Sequence, residues 1–362
     1  GITGPGDGTY TDDFFFLDLT VPFSTMYPTN MPYTVLANVP IKVAAHTLVY
    51  SRTGMIYLFG GYRERPGGNH IYEYDITNNA WSGLTPNTVK NGTVLPSNST
   101  TKTVGVIDSD LTNIYIFDNR TIYIYDTVNS VLSSIPGPSV LNYHGAVWLN
   151  TSEIAYIGGY NSSGINVPMD KILLYDTKSS VWTTKTAIAR SGGIPSPRQG
   201  HTASIASDGR IFIYGGYDGL NTSSIPTFAV LEYINGIFEW SSPQLFNQSY
   251  VFRIYHTAHI IGNHLFINFG RNLTQSRLNT IDIINITNRD RYFVITNFIP
   301  LNYTTKPISA NNIKLTSTSI ILISVFGTIF GIALIVGCIF LIIFIRKKVE
   351  YKNSIIATPG SG

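Results

Sequence analysis

Up to about residue 300 the apolar residues fall in short runs, each closed by a turn. MIYLFGGY (Met55 to Tyr62), IAYIGGY (Ile154 to Tyr160) and RIFIYGGY (Arg210 to Tyr217) share one pattern, an aliphatic and aromatic run that ends in a glycine pair. These runs are apolar on both alternating faces, which predicts strands sandwiched between neighbouring sheets rather than strands with one wet face. A histidine stands fourteen residues before the first glycine each time: His46, His144 and His201. Downstream comes an aliphatic–Tyr–Asp strand, ending at Asp75 and Asp176, with Tyr233-Ile234 in the third copy, and then a tryptophan: Trp81, Trp182, Trp240. DITNNAW and DTKSSVW supply the Asp- and Asn-rich turns that join short antiparallel strands.

Looser copies fill the intervals. In one, Thr103 takes the histidine position, Phe117-Asp118 replaces the glycine pair and IYIYD runs to Asp126. In another, His256 precedes Gly270, whose partner position reads as Arg271. FFFLDL (Phe14 to Leu19) looks like the third strand of a further copy whose first two strands are missing. A unit of four short strands repeated in this way predicts an all-β propeller, counted as about six four-stranded blades with the first incomplete.

The Gly-Gly pair, the Tyr-Asp step and the later Trp resemble the repeat of the kelch family, over roughly Asp12 to Asn297. More narrowly, the chain resembles fungal kelch-repeat single-pass membrane proteins often labelled galactose oxidase-like. That resemblance implies the fold. It would also imply a copper site of two tyrosines, two histidines and a cysteine cross-linked to tyrosine. The single cysteine, Cys338, lies outside the repeats, so the redox activity is not carried over.

One segment breaks the pattern. Ile320 to Ile345 carries no charge and is apolar on every face. At about 1.5 Å per residue such a helix spans a hydrocarbon core of roughly 30 Å. Arg346, Lys347 and Lys348 follow at once, the flank that stays cytoplasmic. With Lys352 and Glu350 they account for the whole net charge of +3, so the rest has no basic bias of the kind nucleic acid requires.

Asn-x-Ser/Thr triplets occur at Asn91, Asn98, Asn119, Asn150, Asn161, Asn221, Asn247, Asn272, Asn285 and Asn302, all before that segment. Together they predict a glycosylated extracellular or lumenal domain (residues 1–300), a linker (301–319), a transmembrane helix (320–345) and a cytoplasmic tail (346–362). The expected protein is therefore a type I single-pass membrane protein, placed at the plasma membrane. No leader is visible before Gly1, and the natural start is expected upstream. Gly327 and Gly331 make a GxxxG spacing that would add at most a weak dimer contact.

Candidate chemistry is thin. The glycine pairs lack phosphate-loop spacing and fit backbone geometry instead. The histidines recur at equivalent positions in different blades, which fits packing or hydrogen bonding better than a shared metal. Asp75, Asp126 and Asp176 read as turn formers. No catalytic residue, metal or cofactor is assigned.

Binding has more support. Arg198 and Arg253 each lie three residues before a repeat histidine and are expected to face the central channel. Tyr62, Tyr160 and Tyr217 follow the glycine pairs, and Arg271 holds a related place. An arginine-and-tyrosine mouth suits a glycan or protein ligand. Many of the triplet asparagines fall in loops on that same face, so glycans there would steer a large partner to the opposite face or rim. The leading expectation is receptor-like or adhesive binding, and the alternative is a membrane-tethered carbohydrate-active enzyme.

Overall fold

The computed structural model describes residues 11–63, 71–84, 103–118, 120–139, 141–149, 151–220, 222–247 and 252–300. All lie in one compact unit, Gly1–Tyr303. The Ile320–Ile345 segment, the Gly327/Gly331 spacing and the tail lie outside the described residues. Among the described residues no helix is long and apolar enough to cross a membrane.

Five sheets are built on four antiparallel strands in chain order. Blade one comprises Thr47–Tyr50, Met55–Phe59, Ile71–Asp75 and Ala80–Leu84. Blade two comprises Val104–Ile107, Asn113–Asp118, Thr121–Asp126 and Val131–Pro136. Blade three comprises Gly145–Trp148, Glu153–Ile157, Lys171–Asp176 and Val181–Thr186. Blade four comprises Thr202–Ile205, Ile211–Tyr214, Phe228–Ile234 and Ile237–Ser241, and blade five Thr257–Ile261, His264–Asn268, Ile281–Asn285 and Tyr292–Ile295. Blades four and five each gain a parallel outer strand, Ile188–Ser191 and Leu245–Phe246.

Against the expected six blades with the first incomplete, the described residues form five full blades. At the sixth position the described residues supply a two-stranded sheet, Phe15–Leu17 against Tyr33–Val35. It is wedged between the last blade and the first. Phe14 packs on Tyr74 and Trp81 of blade one, while Leu17, Leu19 and Tyr33 join Phe266 and Ile283 of blade five. Phe23–Ser24 also pairs with Asn297–Phe298, so the amino-terminal segment clasps the end of blade five.

This arrangement explains the doubly apolar strands. Each pair of neighbouring blades encloses its own cluster. Blades three and four bury Ile157, Leu174, Ile213, Leu231 and Trp240, and blades four and five bury Phe212, Val230, Leu265 and Ile284. Residues on both faces of a second strand therefore leave water, as with Ile211, Phe212, Ile213 and Tyr214, all buried. The repeat tryptophans tie each blade to its predecessor: Trp240 Nε1 donates to Met169 O at 2.9 Å, and Trp81 Nε1 donates to Ala37 O at 2.9 Å. The repeat aspartates form turns as expected: Asp75 Oδ1 accepts from the amides of Thr77 and Asn78, and Asp126 Oδ1 from those of Val128 and Asn129.

Candidate functional site: a tyrosine mouth on the propeller axis

The inner strands abut around an axis and enclose a cavity of about 390 Å3, lined in part by His46, His144, His201, His256, Tyr143 and Tyr255. What holds this ring together is a contact repeated between the histidines and the glycine pairs. The second glycine of each pair sits against the histidine Cβ of its own blade: Gly61 on His46, Gly159 on His144, Gly216 on His201, Gly270 on His256. The first glycine sits against the next blade, Gly158 under the His201 ring and Gly215 under the His256 ring. All of these glycines have positive φ. The His201 ring reaches back to Ile157 O at 3.1 Å, and the His256 ring meets Thr202 Oγ1 at 2.8 Å. The histidines are thus inter-blade fasteners. Among the described residues, no group of three or more His, Cys, Asp or Glu side chains is placed to hold a metal ion.

His46 is partly exposed, but its ring is desolvated, and that desolvation pushes its pKa down from 6.5 to about 3. Above pH 6.5 it is neutral in folded and unfolded chains alike and has no effect on their balance. Below 6.5 only the unfolded chain takes up the proton. Stability is expected to fall by up to about 1.4 kcal/mol per pH unit as pH drops from 6.5 toward 3. Urea midpoints between pH 7.5 and 4.5 would show it. A His46→Asn variant should fall less steeply, and an unchanged slope would assign the acid sensitivity to other groups.

Two of the arginines expected at the channel are not among the residues lining it, and this part of the sequence reading is corrected. Arg198 and Arg253 are fully buried. Arg198 Nη1 donates to Gly215 O at 3.0 Å and its Nε to Ser196 O at 3.1 Å. Arg253 Nη1 donates to Phe269 O at 2.6 Å, Nη2 to Thr280 Oγ1 at 2.8 Å, and Nε to Asp282 Oδ2 at 2.8 Å. Their own carbonyls accept from the second glycine of the preceding blade, Gly159 N at 2.8 Å and Gly216 N at 3.0 Å. Each arginine therefore grips the glycine corner of its own blade while its backbone holds the previous one. Burial lowers the Arg198 pKa to about 10, still high enough to keep it charged.

Arg271 needs a shift of register. In blade five Thr257 pairs with Asn268, whereas in blade four Thr202 pairs with Tyr214. The hairpin is one residue shorter, so Phe269 takes the first glycine position, Gly270 the second, and Arg271 the tyrosine position. In blade two Val104 pairs with Phe117, which moves Asp118, not Phe117, to the first glycine position. Arg271 is buried and bridged to Ile254 and Arg277.

The tyrosines do converge. Tyr62, Tyr160 and Tyr217 are each half-buried at the start of the loop after the glycine pair. They meet two residues that sequence reasoning missed, Tyr143 and Tyr255. Tyr62 and Tyr143 share a hydroxyl contact of 3.1 Å, and Tyr217 and Tyr255 one of 2.6 Å. The Tyr143 ring stacks on Tyr160 at 5.7 Å and leans on Tyr255 at 5.3 Å. Burial, then the neighbouring phenols, raises the pKa of Tyr143 and of Tyr255, so both remain neutral through the physiological range. A phenol pair uses one hydroxyl hydrogen in the contact between the two rings. The cluster offers aromatic faces and hydroxyls, with no formal charge among the five side chains. A signal for the missed pair was present: both tyrosines immediately precede a repeat histidine, a position with φ of 54° in each, occupied by Gly200 in blade four.

The kelch-repeats domain model described for KLHDC2, KLHL20 and DRC7 matches residues 2–216 and 143–323. The chain belongs to the kelch-repeat family. No curated protein matches it. As a kelch propeller it has the general character of a protein-binding platform, and the tyrosine mouth sits over its axial cavity. Of the triplet asparagines, Asn161 and Asn272 follow the tyrosine positions of blades three and five. Asn161 Oδ1 accepts the amides of Ser163 and Ile165, and Asn272 Oδ1 that of Ser276. Asn247 is exposed, and Asn285 Oδ1 accepts the amide of Thr287. Asn91, Asn98, Asn119, Asn150, Asn221 and Asn302 lie outside the described residues.

Proposed function

We propose that this kelch propeller is a recognition domain displayed on the non-cytoplasmic side of a membrane, held by the Ile320–Ile345 span, and that its tyrosine mouth binds the ligand. The observation that carries this reading is the convergence of Tyr62, Tyr143, Tyr160, Tyr217 and Tyr255 over the axial cavity. Aromatic faces rimmed by neutral hydroxyls suit the apolar faces and hydroxyls of a sugar ring, or a polar peptide tip, better than an acidic ligand. The triplet asparagines beside the mouth support a compact ligand there. A broad protein partner would meet glycans first.

The full-length protein, reconstituted and applied to glycan and peptide arrays, is expected to bind selectively. A Tyr160→Ala/Tyr217→Ala variant should lose at least tenfold in affinity while its thermal unfolding stays near the parent's. Selective binding that survives the double variant would move the site away from the mouth. Glycopeptide mass spectrometry of Asn161 and Asn272 tests the orientation, and bare asparagines at both would count against an outward-facing propeller.

A further inference from the structure

Blades four and five carry the same arginine corner, and one of the two lacks its carboxylate. Arg198 and Arg253 each stand three residues before a repeat histidine and are fully buried. Each Nη1 donates to the residue at the first glycine position, Gly215 O at 3.0 Å and Phe269 O at 2.6 Å. Strand pairing fixes the rest of the correspondence. Tyr214 pairs with Phe228 and Asn268 with Ile281, so Thr227 matches Thr280 and Ala229 matches Asp282. The corner backbone agrees: Gly215 N donates to Thr227 O at 2.8 Å, and Phe269 N to Thr280 O at 3.0 Å.

The two guanidiniums are compensated differently. In blade five Arg253 Nε and Nη2 both reach Asp282 Oδ2 at 2.8 Å, and Nη2 also donates to Thr280 Oγ1 at 2.8 Å. In blade four the matching side chain ends at the methyl of Ala229, itself fully buried. Arg198 Nε turns to Ser196 O at 3.1 Å. Its Nη2 is sealed from solvent and has no hydrogen-bond partner among the described residues. Burial alone acts on its pKa, with no neighbouring carboxylate to counter it. Arginine stays protonated at neutral pH, and a buried charge without a counter-charge is costly. Two unused N–H donors on a dry, charged nitrogen call for an anion.

We infer that Arg198 Nη2 holds a small monovalent anion, chloride, in the role that the Asp282 carboxylate plays in blade five. Chloride matches a carboxylate in charge and is close to it in size. A sulfate would bring a second charge that nothing at this corner balances. The place lies between blades three and four, where Ala229 shares its apolar cluster with Ile157, Leu174 and Leu231. The donor is positioned only once the blade-four corner has formed. Chloride therefore binds the folded chain in preference to the unfolded one and stabilises it by mass action. This site is separate from the tyrosine mouth and does not rest on it.

Equilibrium urea unfolding of the full-length protein tests the inference, with chloride exchanged for gluconate at constant ionic strength. Raising chloride from about 0.1 to about 100 mM is expected to raise the folding equilibrium constant at least about tenfold. Ala229→Asp supplies the blade-five carboxylate and should abolish that dependence, as should Arg198→Met, which removes the charge. Crystals grown in bromide carry the test if neither variant folds: an anomalous peak is expected beside Arg198 Nη2 and none beside Arg253. Three results would overturn the inference. They are a parent protein indifferent to chloride, an undiminished chloride response in either folded variant, or a water without anomalous signal at Arg198 Nη2.

Discussion

Arg253→Ala is expected to destabilise the propeller by about 3–5 kcal/mol, the range for removing one partner of a buried, hydrogen-bonded ion pair. The guanidinium is fully buried and bonds to Asp282 Oδ2, Phe269 O, Thr280 O and Thr280 Oγ1. Alanine would leave those acceptors without their donor and open a cavity at the corner where blade five meets blade four. Arg253→Lys retains the charge without the planar fork and should recover only part of the loss. The denaturant midpoint is the measurement. A ligand-contacting arginine would behave differently, losing affinity while the midpoint held. A stable Arg253→Ala protein would therefore overturn the scaffold role assigned to it here.

The same residue shows how far the sequence could be read. The blades were legible because their strands are apolar on both faces, a pattern that only a sheet between two sheets requires. Trp81, Trp182 and Trp240 marked the fourth strands for a similar reason: each covers the neighbouring interface. Positions just before the inner strand were less legible. Arg198 and Tyr143 occupy that connection in different blades, but one turns into the inter-blade contact and the other over the cavity. Backbone conformation separates such outcomes, and Tyr143 and Tyr255 are held at φ of 54° by contacts distant in sequence. Register was lost for an equally local reason. One residue fewer in the blade-five hairpin, and one more in blade two, displaced Arg271 and Asp118 from the positions a fixed spacing assigns them.

The sixth position gives that reasoning its sharpest internal comparison. Gly215→Ala is expected to cost about 3 kcal/mol or more, through strain at positive φ and a steric clash acting together. Gly215 has φ of 65°, and a Cβ there would stand 2.2 Å from Arg253 O and 2.8 Å from the His256 ring. Both obstacles belong to the next blade, and one is backbone that cannot swing aside. Phe269 holds the equivalent place in blade five at φ of 58° and carries a full side chain. Its ring meets Phe15 edge-on at 6.0 Å, and among the described residues no histidine-bearing inner strand stands beside it. Phe269→Gly should accordingly relieve the backbone while losing an aromatic contact, with a net change near 1 kcal/mol. At Gly215 the requirement for glycine comes from the blade that follows, not from the strand that ends there. Thermal unfolding of the two variants side by side is decisive: similar losses would mean that the left-handed corner itself, rather than the neighbouring blade, sets the requirement.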